Sequence, residues 1–244
     1  MNNLTVCIFA TTKGHFGIKN RYYETIHDLE KHKIDFAKKL AHIKISPNEI
    51  EFGEKMRVDF EELGYKVLTT VGEWSHFHCS HPINQLKDLG TVLQEINTPF
   101  LLNWEDDFLC HAKSHNLYYY LKYAIDLLDN NPNKISQVRI PRESDDLDRY
   151  PTLIQDKTGW YRQNTIFSFN PYVALTHNIK NIYNSICAQQ DLITNLIKEN
   201  KLNAELTFTN LAAQMFGPYS FYSFDKKAIT VQHIGSKPGE EDQI

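Results

Sequence analysis

Residues 98–108 read Thr-Pro-Phe-Leu-Leu-Asn-Trp-Glu-Asp-Asp-Phe, an apolar run that ends in three consecutive acids. Short apolar runs of this kind form buried strands, and a carboxylate cluster cannot follow a strand into a core without a compensating cation. Glu105, Asp106 and Asp107 therefore belong at a strand end. Three neighbouring carboxylates repel one another and raise each other's pKa unless a cation neutralises them. Mn2+ or Mg2+ suits that task, because these ions take oxygen ligands and are held by one or two carboxylates plus substrate phosphates. A run of acids on a solvated surface is the competing reading, and the apolar run directly before the triplet favours a site.

The segments upstream alternate between strand and helix patterns. Leu4 to Ala10 is a continuous apolar run rich in β-formers, as expected of a strand buried on both faces. A polar, glycine-punctuated loop from Thr11 to Arg21 follows it, and ligands of open α/β sheets bind just past the carboxyl ends of strands. Ala10, Thr11 and Thr12 are thus candidate nucleotide contacts. The loop lacks the Gly-Lys-Ser/Thr ending of a P-loop. From Tyr22 to Phe36 the spacing of Tyr23, Ile26, Leu29 and Ile34 predicts a helix. Ala41 to Ile45 reads as a strand. Ser46-Pro-Asn-Glu49 can cap a helix running to about Leu63, closed by Gly64. Tyr65 to Val71 is the next strand and Pro82 to Ile96 the next helix, with Asn84 and Lys87 in its first turns, where the helix dipole favours an anion. Such alternation predicts an α/β fold: a Rossmann-like, mostly parallel central sheet flanked by helices, in a single domain.

Downstream, 117–128 is a Tyr-rich helix and Ile135 to Ile140 a strand, followed by a charged loop holding Asp145 and Asp146. Segments 160–162 and 165–171 are strand-like, and a long helix spans about Ile182 to Glu199. Asn203 can cap a further helix with Glu205 in its first turn, and the strand Ala228 to Gln232 leads into His233-Ile-Gly-Ser-Lys237-Pro238. His76, His78, Cys79 and His81 lack zinc-site spacing and read as a loop over the site.

The net charge of -4 and pI near 6.3 argue against a nucleic-acid binder. Cys7, Cys79, Cys110 and Cys187 are scattered and read as buried free thiols of a reducing compartment. The sequence has neither a membrane span nor a signal region, so a cytoplasmic location is expected.

Together these motifs resemble nucleotide-sugar-dependent glycosyltransferases of the GT-A fold, whose acid-tipped strand carries a DXD motif, here in the EDD form Glu105-Asp106-Asp107. The resemblance implies a nucleotide-binding part at about 1–110 and an acceptor and catalytic part at about 111–244. It also implies a UDP- or GDP-sugar donor and a glycan or other hydroxyl acceptor. Asp107 becomes the leading metal ligand, with Asp106 and Glu105 contacting the ribose or the metal's water shell. His233 matches the late His that ligates the metal in many members. Lys237 matches a diphosphate-contacting Lys, and the Asn84 to Lys87 turn matches donor contacts. Glu205 lies about where inverting members carry their base, with Asp145 or Asp146 as the alternative. Two other classes stay open: a nucleotidyltransferase that makes sugar nucleotides, which releases pyrophosphate, and a non-enzymatic carbohydrate- or nucleotide-binding module.

Overall fold

A computed structural model describes residues 1–12, 21–72, 81–106, 108–112, 116–142, 161–164, 171–199, 204–218, 220–226 and 228–234, with the backbone alone at 81–85, 161–164, 190, 197, 198, 204, 205 and 233. The first half of the chain runs β1 (Leu4–Thr11), α1 (Arg21–Glu30), β2 (Lys38–Ile45), α2 (Ile50–Glu62), β3 (Lys66–Val71), α3 (His81–Glu95) and β4 (Phe100–Glu105). The second half contains β5 (Phe108–Ala112), α4 (Leu117–Asn130), β6 (Gln137–Arg139), β7 (Tyr161–Asn164), β8 (Tyr172–Leu175), α5 (Thr176–Ala188), α6 (Gln190–Lys198), α7 (Ala204–Phe216), β9 (Phe221–Phe224) and β10 (Ile229–His233).

Eight strands form the central sheet in the order β3-β2-β1-β4-β8-β6-β9-β7. β3, β2, β1 and β4 are mutually parallel, β8 is antiparallel to both β4 and β6, β9 runs parallel to β6, and β7 runs against β9. The sheet is therefore mostly parallel, as the alternation predicts. Side chains alternate across it. On one face Leu4, Val6, Ile8, Leu102 and Trp104 pack with α1, α2 and α4; on the other Cys7, Leu40 and Leu101 pack with α3, α5, α6 and α7. Both faces are covered, which is why the runs in β1 and β4 read as continuously apolar.

Several expectations are corrected. α1 stops at Glu30, and Ile34 is buried from the connection to β2. Tyr22 rather than Tyr23 lies on the buried face of α1: Tyr23 is 50% exposed, because the buried stripe is Tyr22, Ile26, Leu29. Glu49 occupies the cap position of α2 without a side-chain capping bond. Gly64 does close that helix, at φ +82°, with Tyr65 N–H donating to the Phe60 carbonyl at 3.1 Å. The long helix expected at 182–199 is two helices, α5 and α6, that meet at Gln189. Of the cysteines, Cys7 and Cys110 are buried and free, Cys187 is free but exposed on α5, and Cys79 lies outside the described residues. The last strand, β10, does not join the central sheet. It pairs antiparallel with β5 in a separate two-stranded sheet.

Candidate functional site

From β1 the chain builds outward through β2 and β3, then crosses back to place β4 on the other side of β1. The reversal between β1 and β4 is a topological switch point, where open α/β sheets leave a crevice beyond the carboxyl ends of their strands. Thr11 ends β1 and Glu105 ends β4, so both the opening strand and the acidic turn border that crevice.

Hydrogen bonds stitch the two strand ends together. The Asp106 N–H donates to the Phe9 carbonyl at 2.9 Å, and the Thr11 N–H donates to Asp106 Oδ2 at 3.0 Å. Asp106 is only 4% exposed, and its Oδ1 lies 3.5 Å from Nη2 of the equally buried Arg21. Trp104, fully buried, donates its indole N–H to the Phe108 carbonyl at 3.0 Å and so closes the turn that carries the acids.

α1 supports this turn with a polar stripe. Arg21, Thr25 and Asp28 are spaced i, i+4, i+7 and share one face of the helix. Arg21 meets the Asp106 carboxylate, Thr25 Oγ1 donates to the Asp106 carbonyl at 3.0 Å, and Asp28 Oδ2 accepts the Cys110 N–H of β5 at 2.6 Å. All three are buried. Thr25 and Asp28 were not predicted site residues, Arg21 entered only as the last residue of the 11–21 loop, and the signal available was this spacing beside the Tyr22, Ile26, Leu29 stripe.

Of the predicted residues, Ala10 is buried, Thr11 is half-buried, and the buried Thr12 accepts the Ser46 N–H at 2.8 Å on Oγ1. Glu105 is half-buried and shares its sheet face with Asn103 by alternation. Burial first, with Cys7 and Glu105 nearby, pushes the Tyr172 hydroxyl above its ordinary range. Asn84 and Lys87 lie on α3, where Lys87 is exposed and the Asn84 side chain is outside the described residues. His233 is the last residue of β10, and the β10–β5 register sets it opposite Phe108, the residue directly after Asp107. The Asp107 residue and the His233 side chain themselves lie outside the described residues, as do Lys237, Asp145, Asp146 and the Glu205 side chain.

Direction along the sheet places α7. β9 runs with β4, since β6 is parallel to it and β8 antiparallel to both β6 and β4. Only residues 217–220 separate the end of α7 from β9, so the carboxyl end of α7 lies near the amino edge of the sheet, where β9 begins.

A second polar cluster lies on the α3 side of β2 and β3. Asp88 accepts from Lys44 Nζ at 3.0 Å and from Thr70 Oγ1 at 3.3 Å, with His42 Nε2 at 3.6 Å. Burial holds the His42 imidazole below its ordinary pKa, against the pull of Asp88. The cluster ties α3 to β2 and β3.

Among the described residues no group of three His, Cys, Asp or Glu side chains is positioned to hold a metal ion. The expected ligands, Asp107 and the His233 side chain, lie outside the described residues, and a carboxylate with an imidazole is a donor pair that suits Mn2+. No helix among the described residues is long and apolar enough to cross a membrane.

No family model and no curated protein sequence matches the chain. Solved structures do resemble it. A putative glucose-1-phosphate thymidylyltransferase from Bacillus anthracis, in complex with a sucrose, superposes with a TM-score of 0.55 at 13% identity, over 96% of this chain and 91% of that one. The glycosyltransferase TarS from S. aureus superposes with a TM-score of 0.53 at 13% identity, over 95% of this chain but only 36% of TarS. The fold is therefore one used by sugar nucleotidyltransferases and glycosyltransferases.

Proposed function

We propose that this chain is a divalent-metal-dependent glycosyltransferase that moves a sugar from a nucleoside diphosphate to a hydroxyl acceptor. The carrying observation is the convergence of three segments: the end of β1, the acidic turn after β4, and His233 at the end of β10, opposite Phe108. Asp107 and His233 would hold Mn2+ or Mg2+, which when bound neutralises the charge that develops on the leaving diphosphate. Ala10, Thr11 and Thr12 floor the nucleotide crevice. Glu105, the half-buried acid of the triplet, takes the ribose contact, whereas Asp106 is turned inward to the Thr11 N–H and Arg21. Asn84 and Lys87 of α3, together with Lys237, would contact the donor diphosphate. Glu205, at the amino end of α7, takes the acceptor's proton, a role that needs a carboxylate within hydrogen-bond reach of that hydroxyl.

A second reading, a nucleotidyltransferase that makes sugar nucleotides, draws support from the coverage of 91% of the thymidylyltransferase chain. The products separate the two. With Mn2+ and a panel of UDP- and GDP-sugars, transfer releases a nucleoside diphosphate; a nucleoside triphosphate with a sugar 1-phosphate releases pyrophosphate under the second reading. Under the first, Asp107→Ala lowers transfer at least about a hundredfold, since a metal contributes several kcal/mol of charge stabilisation. Glu205→Gln lowers it by about 10² to 10⁴ and removes the acidic limb of the pH profile. Full Mn2+-dependent activity in Asp107→Ala overturns the metal assignment, and an unchanged profile in Glu205→Gln overturns the base.

A further inference from the structure

Arg21 is 2% exposed, yet two of its three guanidinium nitrogens, Nε and Nη1, have no hydrogen-bond partner among the described residues. Buried polar groups are almost always paired, and leaving charged donors unpaired is expensive, so an orphaned guanidinium points to a group that binds there. Among the described residues the third nitrogen, Nη2, reaches only Asp106 Oδ1, at the long distance of 3.5 Å. That carboxylate is also held by the Thr11 N–H, so it is shared rather than committed to Arg21. A guanidinium has five N–H donors in a rigid fork matched to a phosphate or carboxylate.

Arg21 is also the first residue of the ten-residue helix α1, whose positive dipole end favours an anion. Two independent features thus meet at the β1 side of the switch-point crevice. The nearby carboxylate of Asp106 opposes an incoming anion, and it leaves most of the fork unengaged.

We propose that Arg21 and the amino end of α1 form an oxyanion site that takes a phosphoryl group of the donor diphosphate directly, without the metal. The proposal deepens the glycosyltransferase reading by adding a second, protein-borne cation for the diphosphate. A bidentate guanidinium grips two oxygens of one phosphoryl group, so the diphosphate stays bound when the metal leaves.

Equilibrium dialysis of inorganic pyrophosphate and of UDP in EDTA tests it, on the full chain and on Arg21→Met and Arg21→Lys. The native protein binds pyrophosphate in EDTA, Arg21→Met weakens that binding tenfold or more, and Arg21→Lys weakens it less while keeping the fold. No pyrophosphate binding by the native protein in EDTA overturns the proposal, since a buried water would then satisfy Arg21. Binding by a folded Arg21→Met equal to that of the native protein overturns it too. Should Arg21→Met fail to fold, Arg21→Lys decides: weakened binding supports the site and unchanged binding sinks it. The outcome is separable from the transfer assay. A chain that binds pyrophosphate through Arg21 but releases no nucleoside diphosphate from any sugar nucleotide keeps this site and loses the glycosyltransferase reading.

Discussion

Asp106 and Arg21 are a carboxylate and a guanidinium buried together, and removing one partner of such a pair leaves an uncompensated charge in the core. Asp106 carries more than that pair, since its Oδ2 accepts the Thr11 N–H and its own N–H and carbonyl hold Phe9 and Thr25. Asp106→Ala is expected to cost about 3 to 5 kcal/mol, the range for a broken buried pair, seen as a lower urea midpoint at an unchanged slope. A loss below about 1 kcal/mol would show that Asp106 is not the tie between β1 and β4. At this scale the sequence marks the triplet as a unit, because three adjacent acids share one physical argument. It does not separate the inward acid from the others. That separation depends on Arg21, 85 residues away in the chain, and no local pattern in 105–107 encodes a partner so distant. Tyr23 illustrates the same limit: Tyr22 and Tyr23 fit a helical stripe about equally well, and only the packing of Tyr22 against Phe52 and Phe60 decides between them.

Among the elements, α2 docks on β2 through a glycine. A Cβ on Gly53 would stand 2.7 Å from Ile45 Cδ1 and 2.8 Å from both Cγ1 and Cγ2, with Ile45 itself buried. Glycine inside a helix costs about 1 kcal/mol relative to alanine, so Gly53→Ala gains that much from propensity. The overpacking it forces costs about 1 to 3 kcal/mol, which is the larger effect. Gly53→Ala should therefore lower the melting temperature, and a Gly53→Ala, Ile45→Val double variant should recover part of the loss; a stabilised single variant would contradict the close approach of α2 to the sheet. The elements of the first half were legible, because runs such as Leu4 to Ala10 and the 82–96 periodicity match β1 and α3 closely. β5 and β8 were not. Each is four or five residues long and adjoins other apolar segments, so neither has a period of its own to read.

For the whole molecule, the alternation of strands and helices gives the parallel half of the sheet, and the crevice follows from the reversal of strand order between β1 and β4. The second half is set by long-range antiparallel pairing: β8 inserts between β4 and β6, and β10 leaves the main sheet to pair with β5. Local pattern carries no information on which strand a segment chooses. Yet the β10–β5 pairing is what brings His233 beside the acidic turn, so metal binding depends on that juncture. Anomalous diffraction from crystals grown with Mn2+ and a nucleoside diphosphate measures it directly. One strong manganese peak is expected beyond the carboxyl ends of β1 and β4, within coordination distance of the Asp107 carboxylate and the His233 imidazole and beside the diphosphate. A manganese ion bound elsewhere, or a diphosphate seated away from the acidic turn, would contradict it.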